Sequence, residues 1–125
     1  MTALARMIDQ SPAPDDGQAA DRAIDVAHLS RMTLGEASLE REVLALFNRQ
    51  AEILLPRIRS GAQAAAAALA HTMKGSALGI GAFRVARAAE AVERATEANL
   101  AAAVDALGSA LAETSAEIAR LLRAR

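Results

Sequence analysis

From Leu39 onward the chain sets apolar residues three and four positions apart. Leu39, Val43, Leu46, Phe47, Leu54 and Ile58 form one series, and Leu100, Val104, Leu107, Leu111, Ile118 and Leu122 form another with a near-heptad rhythm. Side chains at these intervals share one face of an α-helix, so each series is a stripe that must be buried against a neighbouring element. Composition narrows what that neighbour is. Hydrophobic residues make up 53% of the chain but aromatic residues only 2%, so the apolar surface is mostly Ala, Leu, Ile and Val. Such side chains suit thin, closely packed helices better than a β-sandwich. With 125 residues, the chain has the length for one domain with a single modest core.

Residues 10–21 carry Pro12, Pro14, Asp15, Asp16 and Gly17, a composition unable to bury enough apolar surface to offset the entropy of ordering. Residues 1–22 therefore read as a flexible tail and 23–125 as the domain. A short first helix containing Ile24, Val26, Ala27 and Leu29, with Asp25 near its start, ends at the Met32-Thr33-Leu34-Gly35 turn. Thr33 and Glu36 have capping-box spacing ahead of a long second helix reaching about Arg59, with Glu40, Arg41, Arg49 and Glu52 on its polar face. Pro56 predicts a kink or an end in its last turn. Ser60 and Gln63 repeat the spacing before an alanine-rich third helix over residues 64–78, which Gly79 and Gly81 break. Leu69, Met73, Ser76 and Ile80 form its expected inner stripe, with His71, Lys74, Gly75 and Leu78 on a more exposed one. The fourth helix is expected from about Ala82 to Ala98, with Val85, Ala89, Val92 and Thr96 inward and Glu90 paired to Arg94 outside. Asn99 is placed to cap the fifth. Short connections make successive helices antiparallel. The expected fold is all-α, an antiparallel up-and-down four-helix bundle with a short N-terminal cap helix.

The absence of cysteine excludes disulfides, thiolate catalysis and the common zinc cages, and fits an intracellular protein. A formal charge of −1, no Trp or Tyr, and Phe47 and Phe83 alone speak against a nucleic-acid partner. The apolar stretch from Met1 to Ile8 is too short for a signal sequence and is interrupted by Arg6, and nothing approaches the roughly 18 uncharged residues of a membrane span. A soluble cytoplasmic protein without membrane contact is expected. No Gly-rich phosphate loop or kinase-like acid cluster supplies an ATP site.

Chemistry concentrates in Ala70-His71-Thr72-Met73-Lys74-Gly75-Ser76, which holds one of only two histidines. On a helix His71, Lys74 and Gly75 share a face. A solvent-facing imidazole has a nitrogen lone pair available near neutral pH. Lys74, one turn on, can offset the charge of a phosphoryl group. Gly75 costs about 1 kcal/mol relative to alanine inside a helix, which close approach by a partner would compensate, and Leu78 would add an apolar docking contact. The arrangement suits passage of a phosphoryl group between two proteins. The other histidine, His28, has no such company and reads as a packing or solvent-facing residue. Arg84 and Arg87 are cations that an acidic partner would meet, and surface solubility accounts for them equally well.

The run from His71 to Ala82, with Lys at +3, Gly at +4, a small residue next and Gly-Ala closing the helix, resembles the signature of histidine-containing phosphotransfer (HPt) domains of bacterial two-component phosphorelays. The likeness extends to Asp25-Val-Ala-His-Leu29, to residues 39–47 and to Ala89-Glu90 with Val92-Glu93, and covers Ile24 to Leu122. It implies that His71 accepts a phosphoryl group on Nε2 from a receiver-domain aspartate and donates it to another response regulator. Gly75, Ser76 and Leu78 would then dock receivers. It further implies a monomeric carrier with no cofactor of its own, Mg²⁺ on the receiver, and receiver domains and a hybrid histidine kinase as partners. Counting along the hairpin between the third and fourth helices sets His71 level with Glu90 to Glu93, one of which would accept a hydrogen bond from Nδ1. The alternatives are a helical adaptor that binds a receiver or kinase without using the histidine, and a self-associating dimerisation module.

Overall fold

A computed structural model describes residues 22–124, which form five helices and no strand. They are α1 (Val26–Met32), α2 (Ala37–Ser60), α3 (Gln63–Ile80), α4 (Phe83–Arg94) and α5 (Leu100–Ala124). Helices α2 to α5 pack each against the next and α5 closes back onto α2, while α1 lies against α3. This is the expected up-and-down four-helix bundle with its cap helix. Apart from Arg22, the tail inferred from the sequence falls outside the described residues.

The bundle closes around Leu44, Phe47, Leu54 and Ile58 of α2, Met73 and Ile80 of α3, Val85 and Val92 of α4, and Val104, Leu107, Leu111 and Ile118 of α5, all buried. On α3 the inner stripe is Ala66, Ala70, Met73, Ala77 and Ile80. Leu69 and Ser76, expected at its centre, sit at its edges, because alanine leaves room for the neighbouring helices to approach. On α2 the expected polar residue Glu40 is buried at 4% exposure, with its Oε2 3.3 Å from the Thr33 hydroxyl oxygen. Arg41, on the outer face, donates to the Leu122 carbonyl at 2.9 Å and ties the start of α2 to the end of α5.

Neither expected capping box forms. Thr33 closes α1 instead, its hydroxyl donating to the Leu29 carbonyl at 2.9 Å, and α2 starts after Glu36 with no side-chain cap. Ser60 is the last residue of α2 rather than a cap for α3, and Ala62 precedes the first turn of α3. Gln63 donates from Nε2 to the Ala95 carbonyl at 2.6 Å, joining the start of α3 to the end of α4. Pro56 stands inside α2, which runs on for four residues beyond it. Helix α4 ends at Arg94, earlier than expected, so Thr96 is an exposed loop residue and not part of the inner face. Asn99 turns its Oδ1 back to accept from the Thr96 N–H at 2.8 Å, so it braces the loop rather than capping α5 with its side chain.

Two contacts lock the cap helix onto the end of α3. Gly81 has φ +82°, and the Asp25 N–H donates to its carbonyl at 2.9 Å. The Asp25 carboxylate in turn caps α1 by accepting from the His28 N–H at 3.1 Å. The His28 ring meets Phe83 edge-on at 5.2 Å, and its Nε2 lies 2.9 Å from the Leu78 carbonyl. A carbonyl only accepts, so Nε2 carries the proton. His28 is thus a packing residue.

Candidate functional site

The buried anchors Ala70 and Met73 fix the roll of α3, and that roll turns His71 outward, with 70% of its side chain exposed. Antiparallel pairing across the Gly81–Ala82 turn brings α4 alongside. Glu93 arrives between the two polar side chains of the α3 stripe: its Oε2 lies 2.7 Å from His71 Nδ1 and its Oε1 lies 2.9 Å from Lys74 Nζ. Lys74 holds the Glu93 carboxyl below its ordinary value of 4.5, and the hydrogen bond from His71 acts in the same direction, both against the opposing effect of burial. An ionised carboxylate only accepts, so His71 Nδ1 donates. In the neutral ring the proton then resides on Nδ1, and Nε2 carries the lone pair. Among the described residues Nε2 of His71 has no hydrogen-bond partner.

Gly75 is exposed, and a Cβ built there would meet nothing within 4 Å. Its missing side chain is not required by helix packing; it clears the surface beside His71. Leu78 is 46% exposed on the same stripe. A groove of about 370 Å³ lies on each side of that stripe. One, between α2 and α3, is lined by Val43, Leu46, Phe47, Gln50, Ser76 and Ile80. The other, between α3 and α4, is lined by Lys74, Leu78, Phe83, Ala86, Arg87 and Glu90.

An exposed imidazole with an oriented tautomer, a cation one turn away, a bare glycine patch and two flanking grooves is a surface built to meet another protein. A family model for the Hpt domain matches residues 37–124. The chain belongs to the Hpt domain family. Neither the search of curated proteins nor that of solved structures gave a match. Membership carries a phosphotransfer-related role in two-component signalling, in company with response-regulator or kinase proteins. No described helix is long and apolar enough to cross a membrane.

The Hpt fold brings together His71, Lys74, Gly75 and Leu78, as their spacing on one helix requires. Ser76 is half-buried and faces the α2 groove. Of the acids counted opposite His71, Glu93 makes the contact, while Glu90 pairs with Arg94 at 2.6 Å, as expected of residues four apart. Lys74 does not stand free beside the imidazole; its ammonium is engaged by Glu93. Arg84 turns away to α5, where it pairs with Glu113 at 3.1 Å, whereas Arg87 lines the groove beside Lys74.

A row on α2 escaped the sequence reading. Leu39, Leu46 and Ile53 are exposed, the last two at 51% and 61%, and half-buried Val43 and Gln50 complete their spacing of three and four. The signal was present as a second apolar row one position before the core row of Leu44, Phe47, Leu54 and Ile58. Read as one series, the two rows look like a single broad inner face.

Proposed function

We propose that this Hpt domain is a phosphocarrier: His71 accepts a phosphoryl group from an aspartyl phosphate on one receiver domain and passes it to an aspartate on another. The hydrogen bond from Nδ1 to Glu93 carries the reading, because it leaves Nε2 as the nucleophile on the exposed edge of the ring. The Nε2 lone pair attacks phosphorus, the N–P bond forms, and the bond from phosphorus to the carboxyl oxygen breaks, releasing aspartate as its carboxylate. No proton moves. The ring keeps its Nδ1 proton and gains a positive charge, which the Glu93 carboxylate offsets at hydrogen-bond distance. Transfer onward is the same step reversed, with the second receiver's aspartate attacking phosphorus and Nε2 leaving.

The domain supplies no cofactor and no ATP site in this scheme; the receiver brings Mg²⁺, and a hybrid histidine kinase stands upstream. The carrier works as a cytoplasmic monomer. Gly75 and Ser76 admit the receiver backbone, Leu78 and the α2 row Leu46 and Ile53 give it apolar contact, and Lys74 bears on the phosphoryl group when Glu93 turns to the charged ring. Transfer from a panel of phosphorylated receiver domains with Mg²⁺ tests the proposal. The wild-type chain is expected to acquire an acid-labile, alkali-stable phosphate that His71→Gln does not. Binding to a receiver without label on either chain would overturn the carrier reading and make the domain an adaptor.

A further inference from the structure

Charge on the α4 flank of the His71 stripe is nearly all internally matched. Lys74 is paired with Glu93, and Glu90 with Arg94. Arg87 is the exception: it is exposed on α4, and no carboxylate among the described residues forms an ion pair with it. Summing Lys74, Arg87 and Arg94 against Glu90 and Glu93 leaves this flank at +1, and Arg87 bears the surplus. The guanidinium stands at a groove of about 370 Å³ whose other walls include exposed Leu78 and half-buried Phe83.

Distance along the helices separates Arg87 from the reacting atom. His71 meets Glu93, six residues further along α4, so at 1.5 Å per residue Arg87 lies roughly 9 Å along the helix axis from the level of the imidazole. That is too far to touch a phosphoryl group on Nε2 and close enough to lie under the footprint of a protein seated over it. From the phosphocarrier reading, on which this step rests, the protein seated there holds an aspartyl phosphate and Mg²⁺. Carboxylates are the usual protein ligands of such a cation, so the rim of that partner's site is acidic.

We infer that Arg87, with Leu78 beside it, is a specificity-determining contact that selects receiver domains presenting a carboxylate next to an apolar residue at the edge of their phosphorylation site. Arg84, three residues earlier on α4, is the built-in contrast. Its guanidinium is engaged by Glu113 of α5, so its charge is already matched within the domain.

The test measures the second-order rate of phosphoryl transfer from each receiver of the panel to the full chain, as wild type, Arg87→Glu, Arg87→Lys and Arg84→Glu, with helicity checked by circular dichroism. For the best receiver, Arg87→Glu is expected to lower the rate about tenfold, since a rim charge acts mainly on association. Arg87→Lys is expected to keep most of the rate and Arg84→Glu to leave it within about twofold. Raising salt to roughly 0.3 M should narrow the gap between wild type and Arg87→Glu, because exposed charges are then screened over a few ångströms. Equal rates for wild type and Arg87→Glu would overturn the inference while leaving the carrier reading intact, as would an equal loss in Arg84→Glu. No label on wild type from any receiver would overturn the carrier reading itself and this inference with it.

Discussion

Glu93 holds two groups with one carboxylate, and the two bonds do different things. The bond from His71 Nδ1 selects a tautomer; the ion pair with Lys74 makes the carboxylate more acidic. Substitutions separate them. In Glu93→Ala the ring loses its acceptor, so ¹⁵N spectra are expected to show the Nε2-protonated tautomer in the mixture and transfer is expected to slow about tenfold. Glu93→Gln keeps an amide oxygen for Nδ1 and should retain most of the tautomer preference, but without the charge that offsets the phosphorylated ring its rate is expected to fall between those of wild type and Glu93→Ala. Both variants lose the ion pair, and stability reports that loss with a definite sign. The folded carboxyl titrates below its ordinary 4.5, so the wild-type carboxylate contributes its full stabilisation above that value and loses it as pH falls through the folded value. Thermal melts should therefore show both variants less stable than wild type at neutral pH, with the difference closing in acid well below 4.5. A difference that persisted unchanged in acid would mean that the Lys74 pair contributes nothing.

The third helix shows what a single element can reveal in sequence and what it hides. His71, Lys74 and Gly75 lie within one turn, so helix periodicity alone assembled them. Glu93 could be narrowed to the span from Glu90 by counting back from the Gly81 turn, but only the roll of α4 decides which acid meets the ring. The inner stripe was harder. Residues 64–68 are all alanine, and a run of identical side chains carries no phase, so Leu69 and Ser76 drew the stripe to one side. Helix ends failed for another reason: four residues of capping-box spacing occur where Thr33 already closes α1 and Ser60 is already the last residue of α2. The glycines of this element give a sharp contrast. Gly81 sits at φ +82°, and a Cβ there would lie 2.8 Å from the Asp25 carbonyl oxygen. Gly81→Ala is expected to cost about 2–3 kcal/mol by combining a left-handed conformation with that clash. Gly75→Ala, in ordinary helix with open space around it, is expected to gain up to about 1 kcal/mol. Urea denaturation of the two variants checks both signs.

Over the whole molecule, the placement of exposed apolar side chains makes one face of the bundle different from the rest. The groove between α2 and α3 sets Leu46 and Gln50 opposite Ser76. Because the two helices are antiparallel, moving five residues back from Ser76 to His71 corresponds to moving about five forward on α2, which brings Ile53 into register with the His71 ring. Leu46, Ile53 and Leu78 are therefore spread around His71 rather than scattered over the surface, and none is needed by the core, which is filled by the adjacent row. A side chain exposed in the free domain but covered in a complex contributes little to folding and much to association. Leu46→Asp and Ile53→Asp are accordingly expected to change the free energy of unfolding by no more than about 0.5 kcal/mol. Each should weaken binding to the preferred receiver about tenfold, since roughly 1.4 kcal/mol of lost apolar contact is a factor of ten in affinity. Arg49→Asp, which alters charge on the same helix at a position outside the apolar row, separates a local effect from a general electrostatic one. Calorimetric titration of the receiver into each variant, paired with urea denaturation, gives the two free energies on the same samples. Variants that unfold early would place Leu46 and Ile53 in the core. Variants that fold and bind as wild type would move the docking face off α2 and onto the α4 flank that Arg87 marks.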